Sequence, residues 1–213
     1  MLALAAAALL AATPAPEREP ANLAALRAQA DAVIRAASAQ RWFVNDTRWD
    51  MPAVRHTASG LRCLFQPGDA GNRIIYVGGV KTSGMGCISR PSGFRQTLTA
   101  VRLAEGETLD AVFAASVLDI TFQRPEAREY QGPRTVVRVE PGPGAPAAPE
   151  ARTARYLVRI GEQEVFSLVS VALVDGWVIR QQFEAPAANA EDADMLAGVV
   201  MSTTLLDLTS RKA

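Results

Sequence analysis

Two cysteines and one histidine are the residues of this chain whose types most readily do chemistry. They are Cys63, Cys87 and His56. Two cysteines on neighbouring predicted strands form a disulfide in an oxidising compartment. The alternative is a zinc site with His56 as third ligand, but the sequence has no Cys-x-x-Cys pair, and the fourth ligand would be a distant carboxylate. A redox role also lacks the Cys-x-x-Cys that would supply a resolving thiol. The sequence therefore predicts a structural Cys63–Cys87 disulfide.

His56 has two interpretations. Its ordinary pKa near neutrality would allow it to act as the general base of a small secreted hydrolase. It would instead be structural if it formed a hydrogen bond at a strand end beside the Ser59-Gly60 turn. Ser59, Ser83 and Ser92 each precede a glycine, but none lies in Gly-x-Ser-x-Gly or Ser-x-x-Lys. The sequence favours the structural role, and we assign no catalytic residue.

No cofactor or metal site is predicted from the remaining motifs. Residues 78–86, GGVKTSGMG, lack the residue order of a phosphate-binding loop and indicate a flexible hairpin. The acidic group Glu191, Asp192 and Asp194 lacks the spacing of a calcium loop and is typical of a helix start. Carboxylates elsewhere are dispersed, so no glycosidase-like pair can be named.

Several arginines lie on predicted strands and would either hold an anion or form ion pairs. Glutamates occur near them in the sequence, so we expect cross-strand ion pairs rather than an anion site. The arginines are Arg138, Arg155, Arg159 and Arg180, and the glutamates are Glu140, Glu162, Glu164 and Glu184.

The elements that position these residues begin with a helix over 20–40, whose apolar residues recur at spacings of three and four. An aromatic connector, RWFVNDTRWD, follows at 41–50. Its aromatic rings would line a ligand groove or plug the core, and the sequence favours the core. Strands are then predicted at 53–57, 61–66, 73–78, 85–90 and 94–103, separated by turn-rich segments.

The second half of the chain alternates helix and strand signals. Thr108 is a predicted N-cap for a helix that ends near Gln123. Strands are predicted at 134–140, 154–161 and 165–174, the last joined by Asp175-Gly176 to a return strand. Asn189 would cap a final helix. The pattern predicts an α+β fold, an antiparallel β-sheet of about seven to nine strands packed against N-terminal, central and C-terminal helices.

The N-terminus predicts export. Residues 2–12, LALAAAALLAA, have the length and composition of a signal-peptide core and are too short for a stable transmembrane span. We therefore expect a signal peptide at 1–16, an N-terminal helix and aromatic connector at 17–50, and a single α+β domain at 51–213. The expected location is periplasmic or secreted.

The charge balance argues against nucleic acid as a partner. Lys plus Arg and Asp plus Glu number 22 each, and charges of both signs are interleaved. A nucleic-acid-binding protein would show a basic excess or a basic stripe. We expect no nucleic-acid partner.

Residues 94–206 resemble the PsbP-like superfamily of α+β sandwiches. The resemblance lies in the order of a strand, the helix LDAVFAASVLDITFQR, antiparallel strands, the hairpin VALVDGWVIRQQFEAP and a closing helix ending MSTTL. The segment HTASGLRCLF is also similar to one in exported proteins of unknown function from Gram-negative bacteria. The resemblance implies a non-catalytic accessory or binding protein. The expected export and disulfide, the neutral charge and the missing catalytic motifs favour such a domain in the cell envelope, with an envelope protein or a small ligand as partner. No functional residue carries over, and a small hydrolase using His56 remains the alternative.

Overall fold

The computed structural model describes residues 22–79, 84–135, 137, 147 and 149–210. Within them lie three helices and ten strands. The helices are α1 (Leu23–Ala36), α2 (Leu109–Gln123) and α3 (Ala190–Ser210); the strands are β1 (Phe43–Asn45), β2 (Ala53–His56), β3 (Arg62–Leu64), β4 (Arg73–Tyr76), β5 (Gly84–Ser89), β6 (Arg95–Arg102), β7 (Arg128–Glu129), β8 (Arg152–Ile160), β9 (Gln163–Val174) and β10 (Trp177–Pro186). The expected α+β class, with a helix in each of the three expected places, is confirmed.

Seven of the strands form one antiparallel sheet in the order β4-β5-β6-β10-β9-β8-β7. Its centre is the β9–β10 hairpin, in which Val174 pairs with Trp177. Asp175 and Gly176 form the turn with φ values of 53° and 75°. Two successive positive φ angles match the twist of a two-residue hairpin, as the Asp-Gly pair predicts.

The first three strands form a separate sheet in the order β1-β2-β3. The aromatic connector supplies β1, which pairs with β2 through Phe43 and His56. Cys63 on β3 and Cys87 on β5 form the predicted disulfide, with their Cα atoms 6.2 Å apart. The bond therefore joins two sheets, whereas the sequence had indicated neighbouring strands of one sheet.

The large sheet has two differently covered faces. Helices α1 and α3 and the small sheet pack on one, which we call the covered face, and bury Phe43, Leu98, Ile179 and Met201 among others in one continuous core. Helix α2 packs on the opposite face, which we call the α2 face, against Val158, Val169, Val171 and Val178. Alternate side chains of each central strand point to opposite faces, so β10 contributes to both.

The strand predicted at 134–140 is not observed where the structure describes that segment. Thr135 donates its backbone N–H to Asp194 Oδ2 on α3 at 2.7 Å, which holds this part of the chain against the helix. The sheet edge is formed instead by the two residues of β7, which pair with β8. The rest of the predicted strand, residues 136 and 138–140, lies outside the described residues.

The predicted signal peptide at 1–16 also lies outside the described residues. Among the helices that are described, none has the length and hydropathy needed to cross a membrane.

Candidate ligand cavity

A cavity of about 300 Å³ lies on the covered face, where β3, the β5–β6 pair and α3 meet. This volume is at the lower end of the range for small-molecule sites. Most of the lining is apolar. The lining residues are Met51, Arg62, Leu64, Gln66, Cys87, Ser89, Pro91, Ser92, Gln96, Leu98, Leu196, Val200, Thr203 and Thr204.

The disulfide fixes two walls of this cavity to each other. Cys87 lines the cavity on β5, and its partner Cys63 lies on β3 between Arg62 and Leu64, both of which also line it. Alternation along a strand puts Arg62 and Leu64 on the face of β3 opposite to Cys63. Cys63 is fully buried, so the disulfide holds β3 from the side of the strand opposite to Arg62 and Leu64.

Two buried polar side chains face the cavity. Ser89 and Gln96 pair across β5 and β6, and they are 4% and 5% exposed. Neither side chain forms a hydrogen bond with any other residue in the described part of the chain. Their polar atoms are not among the fully buried side-chain atoms that lack a partner in the described part of the chain, so they are accessible from the cavity. The cavity thus presents one amide and one hydroxyl that are free to bind something within it.

A third buried polar side chain, and the second amide, lies one strand further in. Gln181 on β10 pairs with Leu98 of the cavity wall and is 0% exposed. Both polar atoms of its side chain lack a hydrogen-bond partner among the described residues. Polar side chains at inward positions of β5, β6 and β10 therefore follow one another across the covered face.

Arg62 is the one charged residue on the described lining. Its Nε lies 3.1 Å from Asp46 Oδ2, and its Nη2 donates to the backbone carbonyl of Asp46 at 3.2 Å. Its guanidinium carbon lies 5.5 Å from the ring centre of Trp49, which is 59% exposed. Arg62 is thus held between a buried carboxylate and an exposed aromatic ring.

Asp46 is the centre of a cluster of three arginines. Arg55 donates from Nε to Oδ2 at 3.1 Å and also contacts Oδ1, while Arg48 donates from Nε to Oδ1 at 3.1 Å. Burial alone would raise the pKa of Asp46. The hydrogen bond from Arg55 and the charges of Arg55, Arg48 and Arg62 outweigh it, so the pKa lies below its ordinary value of 3.8. The carboxylate stays ionised at neutral pH and leaves the cluster with a positive excess.

His56 lies away from the cavity, in the core between the small sheet and β10. Its ring is 3% exposed and lies 5.3 Å from the ring of Phe43 and 5.6 Å from that of Trp177. Its Nδ1 is 2.8 Å from Ser59 Oγ, the kind of contact that the structural interpretation requires. Burial lowers the pKa of His56 below its ordinary value, so the ring is neutral at pH 7. It lines neither of the cavities found among the described residues.

A second cavity of about 200 Å³ lies on the α2 face and is polar. Asp119, Arg180 and Glu184 lie on its wall, and Arg180 Nη2 is 3.4 Å from Asp119 Oδ2. Arg180 and Asp119 on the wall pair with each other, whereas Glu184 pairs with Arg95 outside it. The wall offers a ligand little apolar surface, so we place the candidate site in the first cavity.

Of the four strand arginines, Arg155 and Arg180 form ion pairs, but neither pairs with an expected glutamate. Arg159 has no ion pair with a described residue, and Arg138 lies outside the described residues. Arg155 Nε donates to Asp194 Oδ1 at 2.5 Å, and Arg180 pairs with Asp119. Both carboxylates come from helices packed on the sheet, because β8 and β10 each direct their arginine outward onto a helix. Asp194 therefore binds a strand and a loop, whereas its place in the sequence indicated only a helix start.

Two of the three connector aromatics take the favoured core role, and the third lines neither of the two cavities described here. Phe43 is buried in the core, and Trp42 packs against it with its ring 6.1 Å from that of Tyr76. Trp49 stays exposed beside Arg62.

Sequence reasoning missed Gln96, Ser89 and Arg62 as site residues. A signal was present in the alternation of β6, where Gln96 shares a face with Leu98 and Ala100. A glutamine at a position where the pattern demands an apolar residue marks a buried amide. Arg62 carried no such signal, because its place at the cavity depends on a second sheet packing onto the first.

Comparisons with known proteins find a likeness of fold. No family model matches the chain, and no curated protein sequence matches it. Among solved structures, the chain is similar to cyanobacterial PsbP (CyanoP) from Synechocystis sp. PCC 6803, with a TM-score of 0.42 and 14% identity over 70% of this chain and 87% of that one.

Two further structures are more distant. The protein PA94 of unknown function from Pseudomonas aeruginosa gives a TM-score of 0.35 and 13% identity over 72% of this chain and 94% of its own. LpqN, involved in cell envelope biogenesis of Mycobacterium tuberculosis, gives a TM-score of 0.29 and 14% identity. The match covers 64% of this chain and 84% of LpqN. The expected resemblance to the PsbP-like superfamily is confirmed at the level of the fold only, and nothing on function follows from these likenesses.

Proposed function

We propose that the chain is an exported, non-catalytic binding domain of the cell envelope that holds a small ligand in the cavity between α3 and the two sheets. The observation that carries this is the amide of Gln96, which belongs to a residue only 5% exposed, has no hydrogen-bond partner among the described residues and is open to an apolar cavity. An apolar pocket with a few convergent polar groups is the general form of a small-molecule site.

The apolar lining would supply the affinity. Leu98, Leu196 and Val200 present aliphatic surface from both the sheet and α3. Burying apolar ligand surface here gains about 25 cal/mol per Å². The amide of Gln96 and the hydroxyl of Ser89 would fix the orientation of the ligand by hydrogen bonding to a polar group on it.

The walls of the cavity are fixed to one another, which supports a ligand-binding role rather than a packing defect. The disulfide ties β3 to β5, and β5 is in turn the neighbour of β6 in the sheet. A pocket whose walls are held before the ligand arrives loses less entropy on binding.

The test is binding of the neutral fluorescent probe N-phenyl-1-naphthylamine to the folded, oxidised protein. We expect saturable binding to one site, with the enhanced emission that an apolar environment produces. Val200→Phe places a larger side chain on the cavity wall and should abolish this binding.

Val199→Phe is the matched control. Val199 precedes Val200 on α3 but is 38% exposed and does not line the cavity. Binding should survive this change. An absence of saturable binding to the wild-type protein, or equal binding to both variants, would refute the proposed function.

Export forms the second part of the proposal. It rests on the apolar run at 2–12 and on a disulfide, which persists in oxidising compartments. We propose that residues 1–16 are a cleaved signal peptide and that the mature chain is periplasmic or secreted. Expression in a Gram-negative host followed by mass spectrometry of the osmotic-shock fraction should find a mature N-terminus between about residues 12 and 17. A chain that retains Met1 and remains in the cytoplasm would overturn export.

A further inference from the structure

The charge on the cavity wall has one sign. Of the fourteen lining residues, Arg62 is the only one that carries a charge, and no carboxylate faces the cavity within the described part of the chain. A ligand that enters therefore meets apolar side chains, neutral polar groups and a single cation.

Arg62 retains donor capacity for a ligand. Its Nη2 is used by the carbonyl of Asp46, and its Nε lies beside Asp46 Oδ2 without hydrogen-bond alignment. Its Nη1 has no hydrogen bond or ion pair with a described residue. The side chain is 17% exposed and lines the cavity, so Nη1 is the nitrogen left for a ligand.

The surroundings of Arg62 do not cancel its charge. Asp46 is shared among three guanidinium groups, those of Arg48, Arg55 and Arg62. Asp207 also acts on Arg62 electrostatically, but its oxygens are not among those within 4.0 Å of the guanidinium nitrogens. Three cations against two carboxylates leave a positive potential at this end of the cavity.

We propose that the ligand is an anionic amphiphile, whose carboxylate or phosphate-ester head binds Arg62 while its apolar body lies between α3 and the sheet. This inference rests on the proposed function and names the ligand class of the same cavity. A guanidinium recognises both kinds of head through the same N–H donors. The volume of about 300 Å³ limits the enclosed body to a short chain or a single ring system.

The test compares three ligands with the same eight-carbon chain and different heads at pH 7: octanoate, octanol and octylammonium. Isothermal titration calorimetry should show octanoate binding about tenfold more tightly than octanol, because a charge-assisted hydrogen bond contributes more than a neutral one. Octylammonium should bind more weakly than octanol, since Arg62 repels it.

Arg62→Gln should remove the preference for octanoate over octanol. Arg48→Gln is the matched control, because Arg48 contacts the same carboxylate and carries the same charge but does not line the cavity. It should keep most of the preference. If Arg62→Gln fails to fold, raising NaCl from about 0.05 to 0.5 M should weaken octanoate binding to the wild-type protein and leave octanol unaffected.

Failure of this inference is distinguishable from failure of the proposed function. Equal affinity for octanoate and octanol, or an octanoate preference that survives Arg62→Gln or is insensitive to salt, would refute an anionic head on Arg62 while the cavity remains a binding site. Binding of none of the three ligands, together with no binding of the neutral probe, would refute the cavity as a site altogether.

Discussion

The covered face and the α2 face of the large sheet differ in how they are protected. On the covered face, two helices, the small sheet and a disulfide enclose the core. On the α2 face, a single helix packs on the valines of β9 and β10 and leaves Phe122 80% exposed and Leu118 61% exposed. The comparison shows that the cavity lies in the more constrained half of the molecule, where an open space is least expected from packing alone.

The largest contrast should come from one phenylalanine on each side. Phe183 on β10 is 0% exposed on the covered face, whereas Phe122 on α2 is 80% exposed. Phe183→Ala should lower the free energy of unfolding by about 3–5 kcal/mol, because it leaves a cavity in packed core. Phe122→Ala should change it by less than about 0.5 kcal/mol. Chemical denaturation measures both, and similar losses would contradict the comparison.

Removing the disulfide should have the next largest effect. The bond closes a loop with a sequence separation of 24, for which the chain-entropy relation gives about 3.5 kcal/mol. The Cys63→Ala/Cys87→Ala double variant should lose about that much stability and bind N-phenyl-1-naphthylamine more weakly. A double variant with unchanged stability in urea would show that packing alone holds the small sheet in place.

A buried and an exposed aspartate allow the two sides of the molecule to be compared by the stability lost when a charge is removed. Asp46→Asn leaves three arginines without their ionised partner and should cost about 2–3 kcal/mol, since breaking a buried charge cluster leaves uncompensated charge. Asp119→Asn on the α2 face removes a pair at 3.4 Å whose aspartate is 59% exposed and should cost less than about 0.5 kcal/mol. Thermal unfolding of the two variants at low salt should reveal this difference, and its absence would mean that the Asp46 cluster adds no net stability.

A glutamine on each side should respond differently to replacement by leucine. Gln96→Leu replaces an unpartnered amide at a largely buried position with an apolar side chain. It should raise the free energy of unfolding by less than about 1 kcal/mol, because the amide is open to the cavity. Gln182→Leu on the α2 face breaks the hydrogen bond from Nε2 to Glu184 Oε1 at 3.2 Å and should bring no gain. If Gln96→Leu is destabilising in urea titrations, its amide has a partner in the free protein and the cavity loses its main polar group.

The pH dependence of stability should be the smallest effect and should arise from His56. Burial lowers its pKa in the folded state below the ordinary value of 6.5, so the unfolded chain takes up the proton first. Stability should therefore be full above about pH 6.5 and decrease as the pH falls from there towards the folded pKa. His56→Gln should flatten this dependence between pH 7.5 and 5. A wild-type protein that is more stable at pH 5.5 than at pH 7.5 would contradict a buried neutral ring.

Local sequence patterns predicted the helices and strands well, whereas nothing in the sequence indicated that the strands form two sheets that pack on each other. The Asp175-Gly176 turn and the alternation of β10 follow from short-range geometry, and both are confirmed. The small sheet ends at β3 and the large sheet begins at β4. This boundary depends on which strands pair over long sequence separations, and no local turn motif indicates it. The cavity needs Arg62 and Gln96 to meet across this division, so only Gln96, through its misplaced polarity, could have been identified beforehand.

The position of Cys87 on the cavity wall has a consequence for the order of events in maturation. In a newly exported chain whose cysteines are still reduced, the small sheet would be held to the large sheet by packing alone. The cavity would then lack the covalent link that fixes its β3 wall. If the chain is exported and binds a ligand, as we propose, the disulfide would form before the ligand binds, and the ligand would be acquired outside the cytoplasm.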